Sequence, residues 1–315
     1  MFGRRSDGVK VKDLDIIEKA GPYFMPQRID AVNLFTQPFD YGVVEKWIKE
    51  EKERSGVHYS ITEILIAACV RMLHERPKTN RFINNCVIYQ RKGVWISMTI
   101  KKKLTDDGEE ITLKMPFTGR ESLPEIKKIF NDEVAKNLAV NAEQHETTKT
   151  AGMLNKLPGW LFKFAMWLVR FLDKHNCLPK FLIHASPFHT SLFLTDLRSI
   201  KLDKIYHHLY NFGNTTIFCA LGKAKNKPVV DKEGNIVVEK RMELGLSLDE
   251  RVCDGLYYGK SVAFLVKNIL NPSLMMEPLP EPPLEGKALK KKQKQDKKNA
   301  KKQAKLDKKN KKKEK

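Results

Sequence analysis

Between Leu244 and Gly255 the chain reads Leu-Gly-Leu-Ser-Leu-Asp-Glu-Arg-Val-Cys-Asp-Gly, and the chemistry open to it lies in its charges. The alternation of Leu244, Leu246 and Leu248 predicts a strand with one buried face. That strand delivers Asp249-Glu250-Arg251 to a turn, and Asp254-Gly255 then opens the apolar run from Leu256 as a helix. A carboxylate at such a junction can accept a proton from a bound group. The same residues can equally be architectural, since Asp254 is placed to cap the helix and a carboxylate near Arg251 locks a turn through a buried pair. A second stretch, Ser186 to Leu197, is extended and rich in hydroxyls, Ser191 and Thr195 among them. A third, Ile205 to Gly213, sets His207 and His208 among aromatics, a composition that suits a pocket or plain packing. Adjacent residues of an extended chain point to opposite sides, and no cysteine or carboxylate stands at ligand spacing, so no metal site is expected.

The elements that position these stretches follow from periodicity. Residues 1–25 read as a polar N-terminal arm, and Ala31 to Thr36 as a first strand. Val43, Val44, Trp47 and Ile48 predict a helix from Tyr41 to about Ser55, with charge on its other face. Ser60 and Glu63 form a capping box before a buried helix, Ile61 to Leu73, that ends near Pro77. Strands are expected at Cys86–Gln90, Val94–Lys101 and Glu110–Met115, with a turn at Thr105–Gly108 and a charged amphipathic helix from Leu123 to about Glu143. The run Trp160 to Leu172 is strongly apolar but short and broken by Lys163 and Arg170, so it cannot span a bilayer. It fits either a packed helix covering a subunit contact or a helix lying on a membrane surface. Strands at Thr215–Gly222 and Ile236–Leu248, joined through Pro228 and a turn at Glu233–Asn235, lead to a last helix, Tyr257–Leu270.

The 315 residues, 41% of them hydrophobic, are enough to bury a sizeable core. The net charge of +20 is unevenly spread: residues 287–315 hold sixteen lysines against Asp296, Asp307 and Glu314, which accounts for +13. That lysine-rich tail is expected to be disordered or partly helical and to meet RNA, anionic lipid or an acidic protein, behind a Pro-rich linker at 277–286. No aromatic-interleaved RNA motif accompanies it. The five cysteines are scattered, with no Cys-x-x-Cys spacing, and the N-terminus lacks an apolar h-region, which together suggest a cytoplasmic protein.

Asp249, Arg251, Asp254 and Gly255 match the Asp-His-Arg-x-x-Asp-Gly signature of the acyltransferase component of 2-oxoacid dehydrogenase complexes. Cys253 matches the cysteine that precedes Asp-Gly in the related chloramphenicol acetyltransferase. Ser191, Phe193, Thr195, Asp196 and Leu197 fall in register with that family's Thr-Phe-Thr-x-Ser-Asn-Leu-Gly strand, and Pro77 and Asn80 stand at its Pro-x-x-Asn. Residues 26–276 thus resemble the family's catalytic domain. The resemblance implies an α/β (α+β) fold, a chloramphenicol acetyltransferase-like mixed sheet flanked by helices, in a homotrimer whose subunits enclose a channel for coenzyme A or acyl-CoA and an acyl acceptor. It implies an oxyanion donor at Thr195, which a sheet threonine satisfying a neighbour would also explain, and a channel bordered by Ser191 and His207. No lipoyl or peripheral-subunit-binding domain is recognisable before residue 26, so a freestanding relative without its own lipoyl group is expected.

Within the Asp-His-Arg-x-x-Asp-Gly signature the departure is Glu250, which stands where the family has its proton-accepting histidine. An ordinary carboxylate, of pKa about 4.3, is mismatched to a thiol of about 8.5 by about 4 units, on the order of 5 to 6 kcal/mol. Burial of Glu250, or His208 or His207 as a displaced base, would narrow the gap. Two readings remain open: an acyltransferase with Glu250, Thr195, Asp254 and His208 at its site, or a catalytically silent trimer that serves as a binding or scaffold protein.

Overall fold

In the computed structural model, which describes residues 3–102, 105, 108, 110–139 and 158–281, the first half of the chain runs β1 (Gly8–Lys10), α1 (Ile16–Phe24), β2 (Val32–Asp40), α2 (Tyr41–Ser55), α3 (Ile61–Glu75), β3 (Arg81–Asn84) and β4 (Val87–Arg91). There follow β5 (Val94–Lys101), β6 (Glu110–Phe117), α4 (Leu123–Ala139), α5 (Gly159–Lys174), α6 (Lys180–Ala185) and β7 (Leu192–Asp196). The chain then passes through β8 (Ile217–Leu221), β9 (Lys225–Val230), β10 (Ile236–Asp249) and α7 (Gly255–Leu270). Residues up to Leu279 form one unit.

A seven-stranded sheet in the order β2-β10-β8-β7-β5-β6, with β9 on the outer part of β10, is the frame of this unit. It is mixed: β7 lies parallel to both β5 and β8, and the other pairs are antiparallel. Its two faces are sorted by the period-2 pattern. Leu192, Leu194, Ile217, Cys219, Leu244, Leu246 and Leu248 join the main core with residues of α2, α3 and α7. Phe193 and Phe218 face the other way and pack with Leu209. The extended segment 201–213 crosses this second face so closely that a Cβ on Gly245 would lie 2.2 Å from the Ile205 carbonyl oxygen, which is why β10 needs glycine there. The Ser60–Glu63 capping box forms as expected, and α3 is buried from Ile61 to Leu73.

Several local expectations are corrected. In the N-terminal arm β1 pairs with β4, and Asp15 caps α1, its carboxylate accepting from Ile17 and Glu18 N–H. Within the arm, buried Arg5 and part-buried Asp7 form an ion pair at 2.7 Å. Cys86 belongs to the β3–β4 turn rather than to a strand, and with Asn85 it takes positive φ. Residues 225–230, read as a connection because of Pro228, form edge strand β9, where a proline costs no ladder bond on its open side. Only Leu192–Asp196 of the hydroxyl-rich run is strand. The expected end of the 123–143 helix, most of the Pro-rich linker and the lysine-rich tail lie outside the described residues.

Candidate active site

The turn after β10 is built by backbone and charge together. Asp249 N–H donates to the Thr216 carbonyl and Glu250 N–H to the Ala31 carbonyl, so the chain leaves the sheet pinned on both sides. Arg251 forks onto the Asp249 carboxylate through Nε and Nη2 at 2.8 and 2.7 Å, with both side chains buried. Its Nη1 reaches the Met25 carbonyl at 2.8 Å and so ties the turn to the end of α1. Tyr258 Oη donates to the Asp249 carbonyl from the first turn of α7. Of the two carboxylates near Arg251 in sequence, it is Asp249 and not Asp254 that forms the locking pair.

Asp254 caps α7 by accepting from Tyr257 N–H at 2.8 Å, and that backbone hydrogen bond holds its carboxyl below the usual range. Its side chain faces solvent. Gly255 has open space where a Cβ would stand. Burial pushes the Cys253 thiol up to about 12, so it stays protonated and is no nucleophile near neutral pH. Glu250 is half-buried at the apex of the turn, where Asn33 Nδ2 donates to its Oε2 at 2.7 Å. Asn33 was not foreseen. It is the β2 partner of Leu248, and only the sheet pairing brings its amide to this carboxylate.

The hydroxyl strand is split in its employment. Ser191, offered as a channel residue, is wholly buried and staples β5 to β7: its Oγ accepts from Trp95 N–H at 3.0 Å while its N–H donates to the Trp95 carbonyl. Thr195 is part-exposed, and among the described residues its hydroxyl makes no hydrogen bond. Asp196 is engaged by Thr62 Oγ1 and by Arg198; burial opposes its charge, but these bonds hold its carboxyl below the usual range.

Thr195 and Glu250 do not meet within one chain. Thr195 is paired with Ala220, and Ala220 with Gly245. Glu250 is five residues further along, about 17 Å down the strand at roughly 3.4 Å per residue, and two strands across at about 4.8 Å each. His207 lies nearer to Thr195 than Glu250 does: its ring stacks on Phe218, two positions from Ala220 on the face that Thr195 shares, with centroids 4.3 Å apart. Burial, with His208 beside it, lowers its affinity for a proton, and its Nε2 is enclosed without a hydrogen-bond partner. His208 is exposed beside Phe188 and Phe212, and no hydrogen bond or ion pair links either histidine to Thr195 or Glu250.

A second polar cluster was not legible in the sequence. The Asp173 carboxylate of α5 forms an ion pair with Arg5 Nη1 at 2.8 Å, while that nitrogen donates to the Asp173 carbonyl at 3.3 Å; the carboxylate also stands 3.3 Å from His189 Nε2, whose Nδ1 is 2.8 Å from Ser186 Oγ. Burial pushes His189 below its ordinary value, and it brings Lys114, which donates to the Ile183 and Ser186 carbonyls, down to about 7. Among the described residues no three His, Cys, Asp or Glu side chains are grouped to hold a metal ion.

Comparison with known proteins bears on the same region. A family model described as 2-oxoacid dehydrogenases acyltransferase (catalytic domain) matches residues 211–277, which span β8 to α7 and the Asp249–Arg251 turn. Among solved structures, the probable dihydrolipoamide acetyltransferase of Listeria monocytogenes 4b F2365 is 15% identical over 83% of this chain and 94% of its own, with a TM-score of 0.51. A dihydrolipoamide acetyltransferase of Azotobacter vinelandii, investigated for the role of a serine, a histidine and an asparagine in its catalytic mechanism, is 14% identical over 85% of this chain and 94% of its own, with a TM-score of 0.52. The cubic core of a pyruvate dehydrogenase multienzyme complex gives 14%, 85%, 94% and 0.51. No curated protein matches the chain in sequence. The expected mixed sheet flanked by helices is thus the fold of these acyltransferase cores.

Proposed function

We propose that this chain is a coenzyme A-dependent acyltransferase whose site is completed by a second copy, in a cytoplasmic homotrimer. The observation that carries this reading is the separation of Thr195 from Glu250. A hydroxyl with no hydrogen-bond partner among the described residues and a carboxylate held at the apex of a locked turn lie about 17 Å apart along the strands, which suits a site formed where one subunit's Thr195 meets the next subunit's Glu250. Glu250 takes the proton of the acceptor thiol or hydroxyl as that atom bonds to the thioester carbon of acyl-CoA. Thr195 donates a hydrogen bond to the resulting oxyanion. When the intermediate collapses, the carbon–sulfur bond breaks and the leaving coenzyme A thiolate recovers the proton from Glu250. Asp249, Arg251 and the Asp254 cap hold the turn in position, and Gly255 keeps its start uncrowded.

The reading is tested by mixing subunits. Thr195→Ala and Glu250→Gln each lower coenzyme A release by about 100-fold, within the range of a single lost donor or base. Co-expressed, the two variants assemble some trimers with one intact site and recover a measurable fraction of wild-type turnover. Recovery no greater than the sum of the separate variants would place both residues in one chain's site or in none.

A second reading, of location, rests on α5. Trp160, Phe164, Trp167 and Phe171 form one solvent-facing stripe, 73, 52, 55 and 40% exposed, with Lys163 and Arg170 along its edge. Among the described residues no helix is long and apolar enough to cross a membrane. An aromatic stripe edged by cations suits an anionic lipid surface, and the lysine-rich residues 287–315 would add attraction of the same sign. Vesicles containing phosphatidylserine are expected to sediment the full chain, and Trp160→Ala/Trp167→Ala to weaken that partition by about tenfold. Equal sedimentation of the variant would leave lipid binding to the tail.

A further inference from the structure

Between the end of α1, the β3–β4 turn and α5 lies a cavity of about 400 Å³, a size usual for small-molecule sites. Four cations line it: Arg28, Arg170, Lys174 and Arg251. Its one carboxylate is Asp173, already engaged by Arg5 at 2.8 Å and His189 at 3.3 Å. Arg251 is likewise neutralised by Asp249. Arg28, Arg170 and Lys174 have no carboxylate within ion-pair distance among the described residues.

Arg28 is the most unusual of the three. It is 5% exposed, and its guanidinium is held only by neutral groups, the Gly213 carbonyl at 2.8 Å and the Thr215 carbonyl. Burial draws it down to about 10, which still leaves it charged near neutral pH. Asp249 and Asp173 attract it only from beyond ion-pair distance, with Arg251 opposing them, so burial of this cation is costly and an anion in the adjoining cavity would offset that cost. The backbone presents the charge firmly, because Arg28 N–H donates to Asn211 Oδ1 at 3.1 Å and Gly213, at φ +82, turns its carbonyl toward the guanidinium. The bond to Arg28 N–H leaves the Asn211 amide group, in the cavity lining, as a further donor. Arg170 and Lys174, one turn apart on α5 and exposed, stand at the mouth.

We propose that this cavity binds a small multiply charged anion of the pyrophosphate class, with Arg28 as its buried fixed charge and Arg170 and Lys174 closing on it from α5. Such a group reaches the site either as a free phosphorylated metabolite or as the diphosphate of a larger molecule such as coenzyme A. The proposal does not depend on acyl transfer.

The test is calorimetric titration of the full chain with inorganic pyrophosphate at constant ionic strength, for the wild type, Arg170→Ala/Lys174→Ala and Lys163→Ala. All three carry the same lysine-rich tail, and Lys163 is on α5 but outside the cavity lining. The expected result is saturable binding that weakens at least tenfold in the double variant and is unchanged in Lys163→Ala. Equal affinity in wild type and double variant, or an equal loss in Lys163→Ala, would overturn the assignment. Competition of pyrophosphate by coenzyme A but not by pantetheine would identify the diphosphate of a coenzyme A donor as the occupant, and no competition would identify a separate phosphorylated ligand; both support the site.

Discussion

Glu250→Gln is expected to lower coenzyme A release from acyl-CoA by about 100-fold or more, and Glu250→His to raise it about tenfold above the wild type. The first number is the usual contribution of a general base, 10² to 10⁴. The amide keeps the size of the carboxylate and can still pair with Asn33, so the turn should survive and only proton acceptance is lost. The second number follows from the match of proton affinities: imidazole, with an ordinary pKa of about 6.5, lies about 2 units nearer a thiol of about 8.5 than an ordinary carboxylate does. Steady-state release with thiol and amine acceptors, and with acetyl and longer acyl donors, measures both. An inactive wild type in which Glu250→His creates turnover would replace the acyltransferase reading with that of a silent trimer retaining an intact channel. Inactivity of the wild type and of Glu250→His alike would remove acyl transfer and leave the fold.

Arg251→Ala is expected to have the largest effect on stability, about 3 to 5 kcal/mol, the range found when one partner of a buried ion pair is removed. Asp249 is wholly buried, and without the two-pronged contact from Arg251 its charge loses its ion-pair partner and keeps only the backbone N–H of residue 251 and the more distant Arg28. The same substitution frees the Met25 carbonyl and with it the junction of α1 to the turn. Against a total stability of about 5 to 15 kcal/mol this is a large fraction, and urea unfolding midpoints read it directly. Asp249→Asn/Arg251→Met, which removes both charges together, should recover most of the loss, because the penalty comes from the orphaned charge more than from the missing attraction. A loss below about 1 kcal/mol in Arg251→Ala would mean that water reaches Asp249 and that the pair does not lock the turn.

Local signals determined much of this protein. The alternation of Leu244, Leu246 and Leu248, the Ser60–Glu63 box and the Asp254 cap all act between near neighbours, and each appears in the fold as its residues predicted. Such features depend on backbone geometry over one or two turns, so a short window of sequence contains their cause. What lay outside any window was decided by chain crossings. Arg5 meets Asp173 across 168 positions, Asn33 meets Glu250 across 217, and Arg28 reaches Gly213 across 185. Thr195 and Glu250 were both legible as chemistry, yet the pairing register placed them about 17 Å apart along the strands, because register is set by the burial of whole faces rather than by any one residue's neighbours. The types of the functional side chains were written in the sequence; only the tertiary structure decided which of them share a site, since that depends on long-range contacts that exist once the core has closed.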